Sequence, residues 1–314
     1  MAKIIRWITI GAVVCAVVCA VVLEVLPPAS SVKVAIPPRS SAREIARIFK
    51  KSDIIWSETM LLVWAKLSGN IGHFKAGVYL VSPRITIFSL TKRLASGESR
   101  LYRTTIPEGF TAEQIADLLA RTALADRAKF LQLVRQRQCE GYLFPQTYYL
   151  EPYLGEEKII DLMTAEFHRV VTPAMLEDAR RINLTERQLV TLASIVEKEA
   201  VKPEERALIA GVFLNRLRKH WYLESCATVQ YAMGIHKAKL SIKDTRYDSP
   251  YNTYRHFGLP PGPICNPGAA SLRAAANPAT TEDMFFVASD SGTHLFSQYF
   301  RQHVHNKRAV KHGQ

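Results

Sequence analysis

A chain of 314 residues with 48% hydrophobic and 22% charged side chains can bury a sizeable core, which excludes a disordered or low-complexity protein. Its formal net charge of +13 draws it to polyanions, and nucleic acid, anionic lipid and an acidic cell wall all qualify. No zinc-finger spacing, RNA-binding signature or basic helix-turn-helix pattern occurs, so nucleic acid is not the expected partner.

Lys3 and Arg6 precede an apolar run from Trp7 to Leu23 that ends at Glu24 and Pro27-Pro28. Ile4 and Ile5 extend it to about 20 residues, enough to span a bilayer. Basic residues ahead of an apolar segment keep the N-terminus in the cytoplasm and send the rest out. The alternative is a cleaved signal peptide, but no Ala-x-Ala site follows the run cleanly, and Ala16-Val-Val-Cys19 has Val where a lipobox needs a small residue. Residues 1–26 are therefore expected to be a cytoplasmic tip and transmembrane signal anchor, with 27–31 a linker.

Val32–Ile36 alternates and is predicted as a strand, and Pro37-Pro38 as a turn after which Ser40 or Ser41 caps a helix carrying Ile45, Ile48 and Phe49. A second helix is predicted over about Ser57 to Leu67, a strand over Gly77–Val81, and a third helix over Thr86–Leu94 stopped by Gly97. Residues 32–101 thus form a small α+β module. The stretch 102–184 is expected as a connecting helical region: a strand at Arg103–Ile106, then a capping box, Thr111 with Gln114, then helices near 126–138 and 156–170. The aromatic stretch Gly141–Tyr149 separates the last two.

From Thr185 to the C-terminus a final domain is expected. Thr185 and Gln188 form another capping box, opening the helix that contains Glu197 and Glu199. Pro203 starts a further helix. Beyond Leu240 the chain is rich in Pro, Gly, Asn and Tyr, the composition of loops that build a binding cleft on a helical scaffold. The fold class is α+β, with a loop-rich cleft in the last domain.

Five cysteines divide into Cys15 and Cys19 in the apolar run and Cys139, Cys226 and Cys265 outside it. Neither CxxC nor Cys/His ligand spacing occurs, so no metal site is predicted. In an exported chain Cys226 and Cys265 are the candidate disulfide, with small buried thiols as the alternative.

Side chains rotate about 100° per residue along a helix, so Glu197 and Glu199 point about 200° apart and cannot act together on one bond. Leu189, Leu192, Ile195 and Val196 define an apolar stripe, and Glu199 falls between Leu192 and Ile195 while Glu197 falls beside Val190 and Ala193. Glu199 is thus the carboxyl drawn toward the apolar side, where desolvation raises its pKa as a general acid needs. The alternative is that both are surface charges.

Phe74-Lys-Ala-Gly77 with Tyr79, Ala193-Ser-Ile-Val-Glu-Lys-Glu199, Val212-Phe-Leu-Asn-Arg-Leu217, Ala227-Thr-Val-Gln-Tyr231, Tyr251-Asn-Thr-Tyr254, Gly258-Leu-Pro-Pro-Gly-Pro-Ile264 and Asn266-Pro-Gly268 occur in that order. Ala275-Ala-Asn-Pro278, Phe286-Val-Ala288, His294 and Phe296 continue the set. Together they resemble the MltG (YceG-like) family of endolytic murein transglycosylases, from the anchor to about residue 310. The chain departs from the family pattern at Arg39, where Gly is frequent, and at Glu224-Ser-Cys226, where Gln-Ser/Thr-Asp is commoner.

The resemblance implies a membrane anchor, a LysM-like module at 32–101, a catalytic domain at 185–314, and a catalytic glutamate that carries over to Glu199. It implies cleavage of the MurNAc-GlcNAc β-1,4 bond without water, leaving 1,6-anhydro-MurNAc ends, on glycan strands that an inner-membrane anchor would meet as they are made. Peptidoglycan synthases are expected partners, and no cofactor is implied. Gln230, Tyr251, Asn252 and Tyr254 have side chains suited to sugar recognition, or, for the tyrosines, to core packing. His294 is either a substrate contact or structural. Asn215 and Arg216 are expected in a buried network that holds the catalytic helix. A hydrolytic muramidase needs a second carboxyl, for which Asp244, Asp248, Glu282, Asp283 and Asp290 are available. A non-catalytic wall-binding scaffold is the reading from another class.

Overall fold

The computed structural model describes residues 32–82, 85–98, 101–235, 237, 240–289 and 292–312. The expected anchor and linker, with Cys15, Cys19 and Asp290, lie outside them. Among the described residues no helix is long and apolar enough to cross a membrane.

Alternation in the first described segment becomes strand β1 (Val32–Ile36), whose inward residues Val34 and Ile36 are buried. It pairs antiparallel with β2 (Gly77–Val81), Val32 opposite Val81 and Ile36 opposite Gly77. Between them lie α1 (Ala42–Lys51) and α2 (Glu58–Leu67). Ser41 and Glu44 close a reciprocal capping box at the start of α1, and Ser57 caps α2. Helix α3 (Ile87–Ser96) begins at Thr86 and stops at Gly97, which takes the left-handed conformation (φ 76°) that ends a helix most easily without a Cβ. Ile36, Ile45, Phe49, Leu61, Tyr79, Leu90 and Leu94 fill a common core. The described residues through Tyr102, with Tyr149–Leu154, make one compact unit.

The second unit comprises Arg103–Tyr148 and everything from Gly155 onward. Strands β3 (Tyr102–Thr105) and β4 (Thr147–Leu150) pair. Helices α4 (Ala112–Arg121), α5 (Arg127–Arg137), α6 (Glu156–Val170) and α7 (Pro173–Arg181) lead to α8 (Glu186–Glu199). Then come α9 (Arg206–Arg218), α10 (Cys226–Met233), α11 (Ala269–Ala276), the antiparallel pair β5 (Phe285–Ala288) and β6 (His294–Ser297), and α12 (Phe300–His312).

Helix α8 is the axis of this unit. Every residue from Leu189 to Val196 is buried, with α7, α9, α10 and α11 packed around it. The expected one-sided stripe is therefore not what the fold makes: Val190 and Ala193 are as buried as Leu192 and Ile195. Residues expected as a separate connecting region share this core, since Phe144, Phe167, Val171, Ala179 and Leu184 pack with α8. Helices α10 and α11 arise in stretches too short and too Ala- or Gly-flanked to show periodicity.

Candidate active site

Because α8 is enclosed until Val196, its last turn is where side chains leave the core, and there stand Glu197, Lys198 and Glu199. Glu199 faces a cleft of about 770 Å³, whose lining includes Glu140, Cys226, Gln230, Tyr231 and Tyr251. The buried Ser225 donates its hydroxyl to Glu199 Oε1 at 2.5 Å, and the backbone N–H of Ala227 lies near enough to the same carboxylate to favour its ionised form. Ala227 lies in the first turn of α10, so the carboxylate sits where a helix has free N–H groups and positive dipole. Burial nonetheless raises the Glu199 pKa above the usual range, prevailing over Ser225, the charge of His294 and the Ala227 N–H. The result is a carboxyl that holds a proton unusually well and has donors waiting for its ionised form.

Glu197 is spent on structure. Its Oε2 accepts from the Gly268 N–H at 3.0 Å, and its Oε1 lies 3.6 Å from Arg206 Nη2, both side chains buried or nearly so. A Cβ at Gly268 would fall on the end of the Glu108 side chain, which would have to swing away to admit it. Glu108 is itself raised, by burial and by the Glu197 charge, against Arg206 and Arg273.

Sequence reasoning missed Glu140. Its carboxylate accepts from the Ala112 N–H at 3.1 and 3.2 Å, from Asn266 Nδ2 at 3.1 Å and, at 3.5 Å, from the Tyr231 hydroxyl. Burial pushes it up to about 7 against those bonds. Cys139-Glu140-Gly141 follows α5 and reads as an ordinary loop, so nothing local marked the glutamate. Asn266 is the other organiser that was overlooked. It accepts from the Leu143 N–H, donates to Phe110 O and Glu140, and exchanges backbone bonds with Gly109 and Phe110. The neighbouring loop is pinned to α8 where Ser194 Oγ accepts from the Ile264 N–H at 3.0 Å.

Of the expected sugar contacts, Gln230 and Tyr251 line the cleft, with the Tyr251 ring 5.0 Å from that of Tyr231. Asn252 does not. It is fully buried, its Nδ2 donates to Thr245 O and Tyr247 O, and its Oδ1 accepts from the Tyr254 N–H. Those bonds use its recognition capacity to shape the loop. Tyr254 turns its hydroxyl to Cys226 Sγ at 3.1 Å and is not among the described residues lining the cleft.

Cys226 and Cys265 are free thiols rather than a disulfide. Cys265 is enclosed and donates to Ser194 O at 3.3 Å, whereas Cys226 is exposed beside Tyr254. Asn215 donates to Thr281 O and Asp283 O. The buried Arg216 donates to Met284 O at 2.7 Å and Leu223 O at 2.6 Å, steadying the segment that leads to Ser225. His294 is buried against Glu205, with Nδ1 to Oε2 at 2.7 Å. Bonds from His294 hold Glu205 low although burial pushes the other way. The candidate second carboxyls are engaged elsewhere: Asp244 with Lys237 and Ser241, Asp248 with Arg255, Glu282 with Gln298, Asp283 with Thr281. None of these four is among the described residues lining the cleft. Among the described residues no cluster of His, Cys, Asp and Glu could hold a metal ion.

Residues 34–309 match the model of the YceG-like family. The chain is 33% identical over 310 residues to the endolytic murein transglycosylase of Bacillus subtilis strain 168, covering 90% of this chain and 85% of that one. It is 31% identical over 323 residues to the endolytic murein transglycosylase of Streptococcus pneumoniae serotype 2, covering 90% of this chain and 58% of that one. The crystal structure of a YceG-like protein from Listeria monocytogenes is similar at a TM-score of 0.60 and 30% identity, over 88% of this chain and 99% of that one. The chain belongs to the YceG-like family.

Proposed function

We propose that this protein is an endolytic lytic transglycosylase that cuts peptidoglycan glycan strands, with Glu199 as its single acid and base. The observation that carries this reading is the Glu199 carboxyl itself: proton-retaining through burial, open to a cleft, and met by Ser225 and the start of α10. Glu199 gives its proton to the glycosidic oxygen between N-acetylmuramic acid and N-acetylglucosamine, and the C1–O bond breaks toward an oxocarbenium-like centre. The Ser225 hydroxyl and Ala227 N–H then stabilise the carboxylate left behind. That carboxylate takes the proton from the C6 hydroxyl of the muramic residue as its oxygen bonds to C1, leaving a 1,6-anhydro end. The nucleophile is part of the substrate, so no second carboxyl has to hold a water. Gln230, Tyr231 and Tyr251 supply amide and aromatic surface for the sugar rings.

A hydrolytic muramidase is the second reading, favoured by Glu140 in the same cleft. Against it stand the bonds that already tie Glu140 to Ala112 and Asn266. Replacing Glu199 with Gln should abolish cleavage while wall binding and the melting temperature persist. Mass spectrometry of the wild-type products should find 1,6-anhydro ends; free reducing ends would establish hydrolysis instead, and full activity in Glu199→Gln would move the acid to another residue.

The apolar run 7–23 supports a single-pass anchor in the cytoplasmic membrane with the catalytic domain outside, near nascent strands and their synthases. The order strand, helix, helix, strand in the first unit supports a LysM-like, wall-binding module. Protease shaving of sealed spheroplasts tests the topology, since a protected C-terminal domain would contradict export.

A further inference from the structure

Helix α2 is apolar on two opposite faces. Leu61 belongs to the first unit's core and Ala65 is likewise buried, as a helix of a small module requires. Met60, Val63, Trp64 and Leu67 recur at the i, i+3, i+4 and i+7 spacing of a second stripe about 100° wide on the other side. Met60 is 60% exposed and Leu67 75% exposed. The Trp64 ring meets Phe88 edge-on at 4.4 Å, and Phe88, on α3, is 59% exposed. Trp56, at the entry to α2, is 89% exposed. An unpartnered stripe of this kind marks a contact surface.

Its chemistry selects the partner. The side chains of Met60, Val63, Leu67 and Phe88 have no group that hydrogen-bonds sugar hydroxyls, so a glycan is poorly served by them. Between Val32 and Tyr102 the sequence carries 12 Lys and Arg against 4 Asp and Glu, a net charge of +8, which repels a second copy and attracts an anionic surface. Apolar side chains with Trp among them, in a strongly basic setting, suit the boundary between headgroups and acyl chains of an anionic bilayer. The expected anchor ends at residue 26 and β1 begins at Val32, so the intervening residues reach at most about 20 Å when fully extended.

We infer that the exposed face of α2, with Phe88 and Trp56, rests on the anionic lipid surface of the membrane in which the chain is anchored. The inference relies on the anchor proposed above, and one experiment separates the two. The full chain is reconstituted into nanodiscs of phosphatidylcholine alone or with phosphatidylglycerol, and side chains are footprinted with hydroxyl radicals. Co-elution with the discs reports the anchor. Oxidation of Trp56, Met60 and Phe88 should fall several-fold in the phosphatidylglycerol discs relative to phosphatidylcholine, while Trp221 in the second unit stays constant as an internal reference. A Met60→Ser, Val63→Ser, Leu67→Ser variant, altered only on the exposed stripe, should lose that protection and keep its melting temperature and cleavage activity. Equal oxidation in both discs despite co-elution overturns the surface and leaves the anchor. Co-elution with neither disc overturns both. Protection that grows with protein concentration assigns the face to a second copy, and protection that appears only on adding glycan strands assigns it to the wall; either result overturns the inference.

Discussion

In the proposed reaction Glu199 is protonated to release a glycosidic oxygen and ionised to accept a proton afterwards, and its surroundings serve the two states with different groups. Enclosure favours the acid, whereas Ser225 and the Ala227 N–H favour the base. Activity should therefore fall as pH rises through the Glu199 pKa, since the acid form is consumed first. Removing the Ser225 hydroxyl takes away a group that lowers this pKa, so Ser225→Ala should move the alkaline limb of the kcat/KM profile to higher pH. An unmoved limb would assign it to another group. Glu140 offers a second test by linkage. Its pKa rises from 4.5 to about 7 in the fold, so the folded state holds the proton more tightly than the unfolded chain. Its contribution to stability is fully present below about pH 4.5 and is lost as pH rises to about 7, a change of about 3 kcal/mol. Denaturant midpoints of the wild type and Glu140→Gln, compared at pH 4 and pH 8, should show the wild type losing that advantage; a gap independent of pH would contradict it.

At the scale of elements, α8 decides where Glu199 stands, and its start was plain in the sequence. Thr185 and Gln188 bond reciprocally as a capping box, Thr185 N–H to Gln188 Oε1 at 2.9 Å. Thr185→Ala should cost about 1 kcal/mol, read as a lowered melting temperature with kcat unaffected at temperatures where the protein is folded. The caps at Ser41 and Thr111 were legible for the same reason, that a side-chain acceptor and a fixed spacing act locally. The two glutamates were not separable this way. Helical angle pointed to Glu199, but α8 is buried all round, and what distinguishes Glu199 is its tertiary neighbours, Ser225 and the start of α10. Asn252 misled for a related reason: an amide beside two tyrosines suits a sugar as well as a loop, and only Thr245 O and Tyr247 O reveal which. Glu140 was invisible because its partners lie at Ala112 and Asn266, far along the chain.

For the whole molecule the charge of +13 acts at long range and the active site at contact range. The Debye length shrinks from about 8 Å at physiological salt to about 3 Å at 1 M. Binding to isolated, acidic cell wall should weaken steeply with added salt in a sedimentation assay. The kcat on a short soluble glycan should change little, because Ser225 and Glu199 are in direct contact. Parallel losses in both would mean that salt unfolds the protein rather than screening its approach.

Asn266 joins Phe110, Glu140 and Leu143, partners 156, 126 and 123 residues earlier in the chain. Contacts so remote in sequence must wait until residue 266 has been made, and they close slowly after that. The wall of the cleft is therefore among the last parts to assemble, however early α8 and its caps take shape. A newly made chain carries Glu199 before it carries the cleft wall beside it, and a chain broken before residue 266 never acquires one.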